Sequence, residues 1–128
     1  MPIELTMLAL SAVLCVVLVL PYTNGITLKY GVGAAAGNRE DVPPLTGWIG
    51  RSRRAHANMV ENLIPFTALV LTAQAAGKFG ALTALGAQLF FYARLVHAAV
   101  YIVGIPYLRT LVYALSIWGL LQLLEALF

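Results

Sequence analysis

The chain has 128 residues, of which 61% are hydrophobic and only 10% are charged, and its mean hydropathy is +0.87. A soluble domain of this length cannot be so apolar, so the composition predicts an integral membrane protein. The formal net charge is +3, but the basic residues are scattered among helix ends and apolar segments, which excludes a nucleic-acid partner.

Four apolar segments of helical length account for most of the chain. A bilayer core of about 30 Å needs roughly 20 helical residues per crossing, so four crossings leave no room for a separate soluble domain. The predicted spans cover residues 4–23, 54–76, 81–103 and 107–127 of a single domain, residues 1–128. The short turn at residues 77–80 makes the second and third spans antiparallel neighbours. We expect an all-α integral membrane fold, a four-transmembrane-helix antiparallel bundle.

The first apolar run, residues 4–23, is either a signal peptide or a transmembrane helix. Glu4 stands where a signal peptide carries a basic residue, and the run is longer than a typical signal-peptide core. We therefore expect a transmembrane helix, weakened near its end by Pro21 and Asn24. Cys15 is the only cysteine, so it has no disulfide partner within the chain and is expected to be a small packing residue.

Residues 25–50 form the only long hydrophilic connection, with several glycines and the Pro43-Pro44 pair as helix breakers. They contain no glycine motif of a phosphate-binding loop. Five basic residues belong to this connection or its far end: Lys29, Arg39, Arg51, Arg53 and Arg54. The 77–80 turn holds only Lys78. By the positive-inside rule, the 25–50 connection faces the cytoplasm and both termini face the opposite side.

The second span begins with a polar stripe on an otherwise apolar helix. At about 100° per residue, one narrow face carries Arg51, Arg54, Asn58, Glu61 and Pro65. Basic residues commonly flank a membrane span, so Arg51 and Arg53 are equally explained as interface residues. Asn58 and Glu61 lie further in, where an unpaired polar group is costly, and this favours a functional role over simple pairing between helices. Pro65 is expected to kink the helix.

Two further polar stripes arise in the third and fourth spans. The third span carries Arg94, His97 and Tyr101, and the fourth begins with Arg109, Thr110, Tyr113 and Ser116. With the predicted topology, all three stripes reach the same depth on the cytoplasmic side. His56 and His97 are the only histidines, and neither has the cysteine or carboxylate neighbours of a metal site, so no metal is expected.

Several arginines gathered at one membrane level need a polyvalent anion, because the protein offers only Glu61 nearby. An arginine fork suits a carboxylate, Asn58 suits an amide, and Glu61 suits an ammonium group. Glutathione has all three groups, and an arginine or tyrosine at its sulfur would stabilise the reactive thiolate. The competing interpretation is that Arg94 and Arg109 snorkel or pair across helices.

These residues resemble the motifs of a known family, the membrane-associated proteins in eicosanoid and glutathione metabolism (MAPEG). The family includes the microsomal glutathione transferases and the leukotriene and prostaglandin E synthases. Its helix-two motif is matched by Arg54, Ala55, His56, Asn58, Glu61, Pro65 and Phe66. Helix three matches through Arg94, His97 and Tyr101, and helix four through Arg109, Thr110 and Tyr113. The resemblance covers all four helices in order and is to the bacterial branch of the transferases.

The resemblance implies a homotrimer in a bacterial inner membrane that holds glutathione as a cosubstrate between subunits. Arg109 resembles the family's thiolate-stabilising arginine and is the predicted catalytic residue. The predicted glutathione-binding residues are Arg51, Arg54, His56, Asn58, Glu61, Arg94, His97, Tyr101, Thr110 and Tyr113. Family enzymes commonly carry another arginine near the end of helix one, where this chain has only Lys29.

The expected function is detoxification by a glutathione transferase or peroxidase that takes hydrophobic small molecules from the membrane lipid. Two alternatives are open. A small four-helix transporter would need an acidic residue near mid-membrane to couple protons to a cation, but Glu4 lies near a helix end and Glu61 lies among arginines. A noncatalytic membrane module would keep the same fold, because no residue pattern shows that a bound thiol reacts.

Overall fold

The structure, a computed structural model, describes all 128 residues, and its regular elements are all helices. They are α1 (Ile3–Val17), α2 (Val19–Tyr30), α3 (Val32–Ala36), α4 (Gly47–Ala75), α5 (Ala81–Val103) and α6 (Pro106–Leu127). The prediction of an all-α fold is confirmed.

Three helical segments are long and apolar enough to cross a membrane: Ile3–Tyr30, Ala81–Val103 and Pro106–Leu127. They support the prediction of an integral membrane protein. Helix α4 is the longest single helix, with 29 residues, but its first half is strongly charged. A fourth crossing over residues 54–76, and with it the count of four, therefore stays a prediction.

The first helical segment runs past its predicted end at residue 23. Helix α2 continues to Tyr30 and ends at Gly31, whose φ of 92° lies in the left-handed region that glycine adopts without strain. Pro21 has no N–H to bond the carbonyl of Val17, and the helix is interrupted at Leu18, between α1 and α2. Pro21 thus weakens the helix locally without ending it.

The hydrophilic connection is shorter than the predicted residues 25–50, because helix continues into it from both sides and α3 lies within it. The packing of α2 against α4, which begins at Gly47, explains the difference. A Cβ at Gly25 would lie only 2.7 Å from Cγ1 of Ile49, so glycine allows the two helices to approach closely. Ile26 and Ile49 are buried in this contact. Their burial stabilises the helical conformation at the end of α2 and at the start of α4.

Pro65 lies inside α4, which is helical without a break from Gly47 to Ala75. Because proline has no N–H, the backbone carbonyl of Glu61 has no partner at the usual position four residues along. The proline therefore removes one helical hydrogen bond next to a predicted site residue and does not end the helix.

The core lies among α1, α4, α5 and α6. Phe66 of α4 stacks on Phe90 of α5 with ring centroids 4.0 Å apart, and both side chains are fully buried. Helices α5 and α6 meet at Gly86 and Gly119, where a Cβ on Gly119 would lie 2.6 Å from the carbonyl oxygen of Gly86. This contact between small residues sets α5 and α6 side by side, so the polar residues after Gly86 on α5 face those before Gly119 on α6.

Glu4 is buried at the start of α1, near the helix end where the sequence placed it. Its carboxylate accepts a hydrogen bond of 2.5 Å from the hydroxyl of Thr83, which itself accepts one of 2.8 Å from the N–H of Gly80. These bonds tie the start of α1 to the start of α5. The Glu4 carboxylate is therefore engaged far from the arginines near the other end of α5 and cannot neutralise them.

Candidate functional site

The polar stripe of α4 divides between two surroundings. Arg51 donates from Nε to the carbonyl oxygen of Ile102 at 2.9 Å, which satisfies one of the free carbonyls at the end of α5. Asn58 also turns toward α5, whereas Arg54 and Glu61 are exposed. The stripe thus lies along the boundary between the bundle interior and the outer face of α4. Arg51 binds the end of α5 through its hydrogen bond to Ile102.

Arg94 is the most deeply buried charged residue, with 1% of its surface exposed. Its Nη2 donates to the Oδ1 atom of Asn58 at 2.5 Å, and its guanidinium carbon lies 5.8 Å from the ring centroid of Tyr113. The Nε and Nη1 atoms have no hydrogen-bond partner in the chain. Asn58 is therefore the one side chain that satisfies this guanidinium, and it holds α4 to α5.

Two tyrosines lie next to His97, which is 2% exposed. Its ring centroid lies 5.5 Å from that of Tyr101 and 6.0 Å from that of Tyr113, and its Nδ1 atom has no partner. The guanidinium carbon of Arg109 lies 4.5 Å from the ring centroid of Tyr101, within cation–π range. These contacts fix Arg109 over the aromatic group without placing a carboxylate against it.

These residues open into a cavity of about 250 Å³, which we call the Arg109 cavity. Its lining consists of Asn58, His97, Tyr101, Arg109, Thr110 and Tyr113, contributed by α4, α5 and α6. All six belong to the set predicted from the sequence, so the three stripes do meet at one place. Arg94 lies behind them and reaches the cavity wall through its hydrogen bond to Asn58. The binding and catalytic roles of these residues stay predictions.

The other predicted residues lie outside this cavity. Arg54 lines a cavity of about 410 Å³ between α4 and the connection that precedes it. His56 and Glu61 line another, of about 360 Å³, with Tyr22, whose ring centroid is 5.6 Å from that of His56. Both cavities lie on the side of α4 that faces α2 and the connection, away from the Arg109 cavity, so a single chain does not bring all the predicted residues into one site.

Three further residues belong to these surroundings. Asn62 is buried and donates from Nδ2 to the carbonyl oxygen of Asn58 at 2.8 Å. Arg53 lines both outer cavities, and Arg39 lines the larger one. Arg53 could have been found from the sequence, because it lies three residues before the predicted site residue His56, a spacing that places both on one side of α4. No periodicity could have placed Arg39, because its position depends on how the connection folds.

Comparison with known protein families identifies the family of this chain. The family model described as the MAPEG family matches residues 3–128, nearly the entire chain. No curated protein and no solved structure matches it. The family match is independent of the cavity geometry and covers the helices that form both the Arg109 cavity and the outer face of α4. The chain belongs to the MAPEG family.

Proposed function

We propose that the protein binds glutathione and transfers it to hydrophobic electrophiles that enter from the bilayer, as a glutathione transferase or peroxidase. Membership of a family named for glutathione metabolism is consistent with this function. The observation that carries it is the position of Arg109, which lines a polar cavity without a carboxylate neighbour in that lining.

The Arg109 cavity suits the sulfur of a thiol. A thiol becomes nucleophilic when it loses its proton, and a nearby cation stabilises the resulting thiolate. Arg109 supplies that cation, and Tyr101 and Tyr113 supply hydroxyl groups that would donate to the same atom, whereas the hydroxyl of Thr110 donates to the carbonyl oxygen of Pro106. The thiolate then attacks the electrophile, forms the carbon–sulfur bond and expels the leaving group. A peroxidase would use the same thiolate to attack an oxygen of a hydroperoxide, which breaks the O–O bond, gives the sulfenic acid of glutathione and releases an alkoxide that takes a proton from water. A second glutathione would then reduce the sulfenic acid, with formation of glutathione disulfide and water.

The remaining parts of glutathione need a larger site than one chain offers. The Arg109 cavity, at about 250 Å³, is smaller than the roughly 300–1,000 Å³ of ordinary small-molecule pockets. Arg54, His56 and Glu61 face outward on α4, where a second copy of the chain would cover them. We therefore propose a site between subunits, in which the Arg109 cavity of one copy adjoins the outer face of α4 of another.

The proposed assembly is a homotrimer, and its three-fold number rests on the family resemblance. Polar faces gain by turning toward a protein interface because lipid cannot satisfy them. Mass measurement of the purified protein in mild detergent should give three chains per particle. A stable monomer that still turns over glutathione would contradict the shared site.

The function is tested by a conjugation assay on the purified protein. Glutathione and a generic aryl halide electrophile should give the thioether product faster than the uncatalysed reaction, and the rate should saturate with glutathione. Glutathione binding with no rate above background would indicate the noncatalytic membrane module. If glutathione does not bind to the purified protein, the proposed function is wrong.

We further propose that both termini lie on the non-cytoplasmic side of a bacterial inner membrane. The basic residues Lys29, Arg39, Arg53 and Arg54 lie in or near the connection between α2 and α4, which supports this orientation. Single cysteines at Gly37 and Phe128, introduced after Cys15→Ala, can be labelled from outside intact cells. We expect labelling at Phe128 and none at Gly37; the reverse pattern would invert the topology.

A further inference from the structure

Arg51 of α4 lies against the short corner that joins α5 to α6. Only Gly104 and Ile105 separate the two helices, and we call residues 102–105 the α5–α6 corner. The Nε–H of Arg51 donates to the carbonyl oxygen of Ile102 at 2.9 Å. The last carbonyls of a helix have no partner within it, and a basic side chain there also interacts favourably with the helix dipole. Arg51 therefore ties α4 to the corner.

Gly104 allows Arg51 to come so close. Its φ of 97° lies in the left-handed region, and its N–H ends α5 with a hydrogen bond of 2.9 Å to the carbonyl oxygen of Val100. A Cβ on Gly104 would lie 3.1 Å from Nε and 3.2 Å from Cζ of Arg51. The guanidinium thus lies directly on the backbone of Gly104. A side chain at this position would strain the backbone and press on the group that bonds Ile102.

The corner leads directly into the first turn of α6, which carries Arg109. Helix α6 begins with Pro106, whose ring fixes the φ that a first helical residue needs. The N–H of Arg109 bonds the carbonyl oxygen of Ile105 at 3.2 Å. A single helical turn therefore joins the corner to Arg109. Because such a turn is stiff, a displacement of the corner also displaces Arg109.

Arg51 shares its helix with Asn58, which lies about two turns later and lines the Arg109 cavity. Helix α4 is thus tied to its neighbours at two levels. Asn58 bonds Arg94 in the middle of α5, and Arg51 bonds the point at which α5 passes into α6. The two ties together set the level of the first turn of α6 relative to α4.

We propose that Arg51 is a positioning residue for Arg109. It holds the α5–α6 corner against α4, so that the guanidinium of Arg109 lies at the level of Asn58 and reaches the sulfur of glutathione. Arg51 lines neither the Arg109 cavity nor the cavities of Arg54 and Glu61, so it acts through the backbone of the corner and not by contact with glutathione. This role rests on the proposed function of Arg109 as the thiolate-stabilising residue.

The test is a double-mutant cycle on kcat at neutral pH, with wild type, Arg51→Ala, Arg109→Leu and the double variant. Arg51→Ala should lower kcat about tenfold, because a displaced cation stabilises the thiolate less well. The rising limb of the pH–rate profile should move up by about one pH unit, and the KM for glutathione should change little. In the Arg109→Leu background, the same substitution should have no further effect. Arg51→Lys keeps a charged donor and should recover part of the loss.

A second pair of variants alters the same contact from the side of the corner. Gly104→Ala places a Cβ against Arg51, whereas Gly77→Ala alters a glycine with a φ of 65° that has no atom within 4 Å of the added Cβ. Both variants strain a left-handed backbone, so both should lose stability. Only Gly104→Ala should move the pH–rate profile. If both variants keep the wild-type profile, the contact between Gly104 and Arg51 does not position Arg109.

Two results of the cycle would overturn the proposal while glutathione is still conjugated. If the losses of Arg51→Ala and Arg109→Leu multiply in the double variant, Arg51 acts independently of Arg109. If Arg51→Ala raises the KM for glutathione and leaves kcat unchanged, Arg51 is a binding residue. A wild-type protein with no conjugation above background would instead show that the proposed function is wrong, and the role of Arg51 would fall with it.

Discussion

Replacing Arg109 with leucine is expected to lower conjugation at neutral pH by about ten- to hundredfold while glutathione still binds. The guanidinium lines the cavity with no carboxylate in the lining, so its charge is available to a thiolate. A charge-assisted hydrogen bond of about 1.5–3 kcal/mol corresponds to roughly one to two pKa units on the bound thiol. Because Arg109 favours the deprotonated form, its loss raises the thiol pKa, and the rising limb of the pH–rate profile should move to higher pH.

The measurement is the pH dependence of kcat for wild type, Arg109→Leu and Arg109→Lys. The lysine variant keeps the positive charge but loses the planar fork, so its profile should lie between the other two. At high pH, where the thiol is ionised in every variant, the rates should converge. An Arg109→Leu profile that coincides with that of wild type would make Arg109 a packing residue on Tyr101.

Replacing Asn58 with alanine is expected to destabilise the protein by about 1.5–3 kcal/mol, the usual value of a hydrogen bond to a charged group. Asn58 accepts the one hydrogen bond that the chain provides to the Arg94 side chain, and Arg94 is only 1% exposed. The same variant should weaken glutathione binding, because Asn58 lines the Arg109 cavity. The pKa of the bound thiol should change little, since Arg109 is left in place.

Denaturant unfolding in detergent, followed by helical circular dichroism, measures the stability effect. Asn58→Asp is the matched control, because it keeps an acceptor oxygen opposite Arg94 and adds a compensating negative charge. We expect this variant to be at least as stable as wild type. If the unfolding midpoint of Asn58→Ala equals that of wild type, the hydrogen bond between Asn58 and Arg94 does not stabilise the packing of α4 against α5.

The residues of the Arg109 cavity could be predicted because they lie on regular helices. A spacing of three or four residues places side chains on one helical face, whichever neighbour that face meets. Arg94, His97 and Tyr101 on α5 therefore share a side, as do Arg109 and Tyr113 on α6. Residue spacing does not show whether the polar groups of α5 and α6 lie at the same level along the bundle. The contact between Gly86 and Gly119 fixes that level.

The division of the α4 stripe could not be predicted in the same way. Asn58 and Glu61 share a face by periodicity, but whether each meets α5 or the outside depends on where the stacked Phe66 and Phe90 place the helix. The cavity between α4 and the connection that precedes it could not be predicted either. It depends on the close approach of Leu45 to Gly50, and the sequence predicted residues 25–50 only as a hydrophilic connection with glycine and proline breakers.

The most direct measurement is the ultraviolet absorbance of the thiolate when wild-type protein is mixed with glutathione at neutral pH. The proposed function predicts a thiolate band that saturates with glutathione, is absent with S-methylglutathione and disappears at low pH with a midpoint below the usual thiol pKa of about 8.5. Binding of glutathione without a thiolate band at neutral pH would contradict a reactive thiolate beside Arg109.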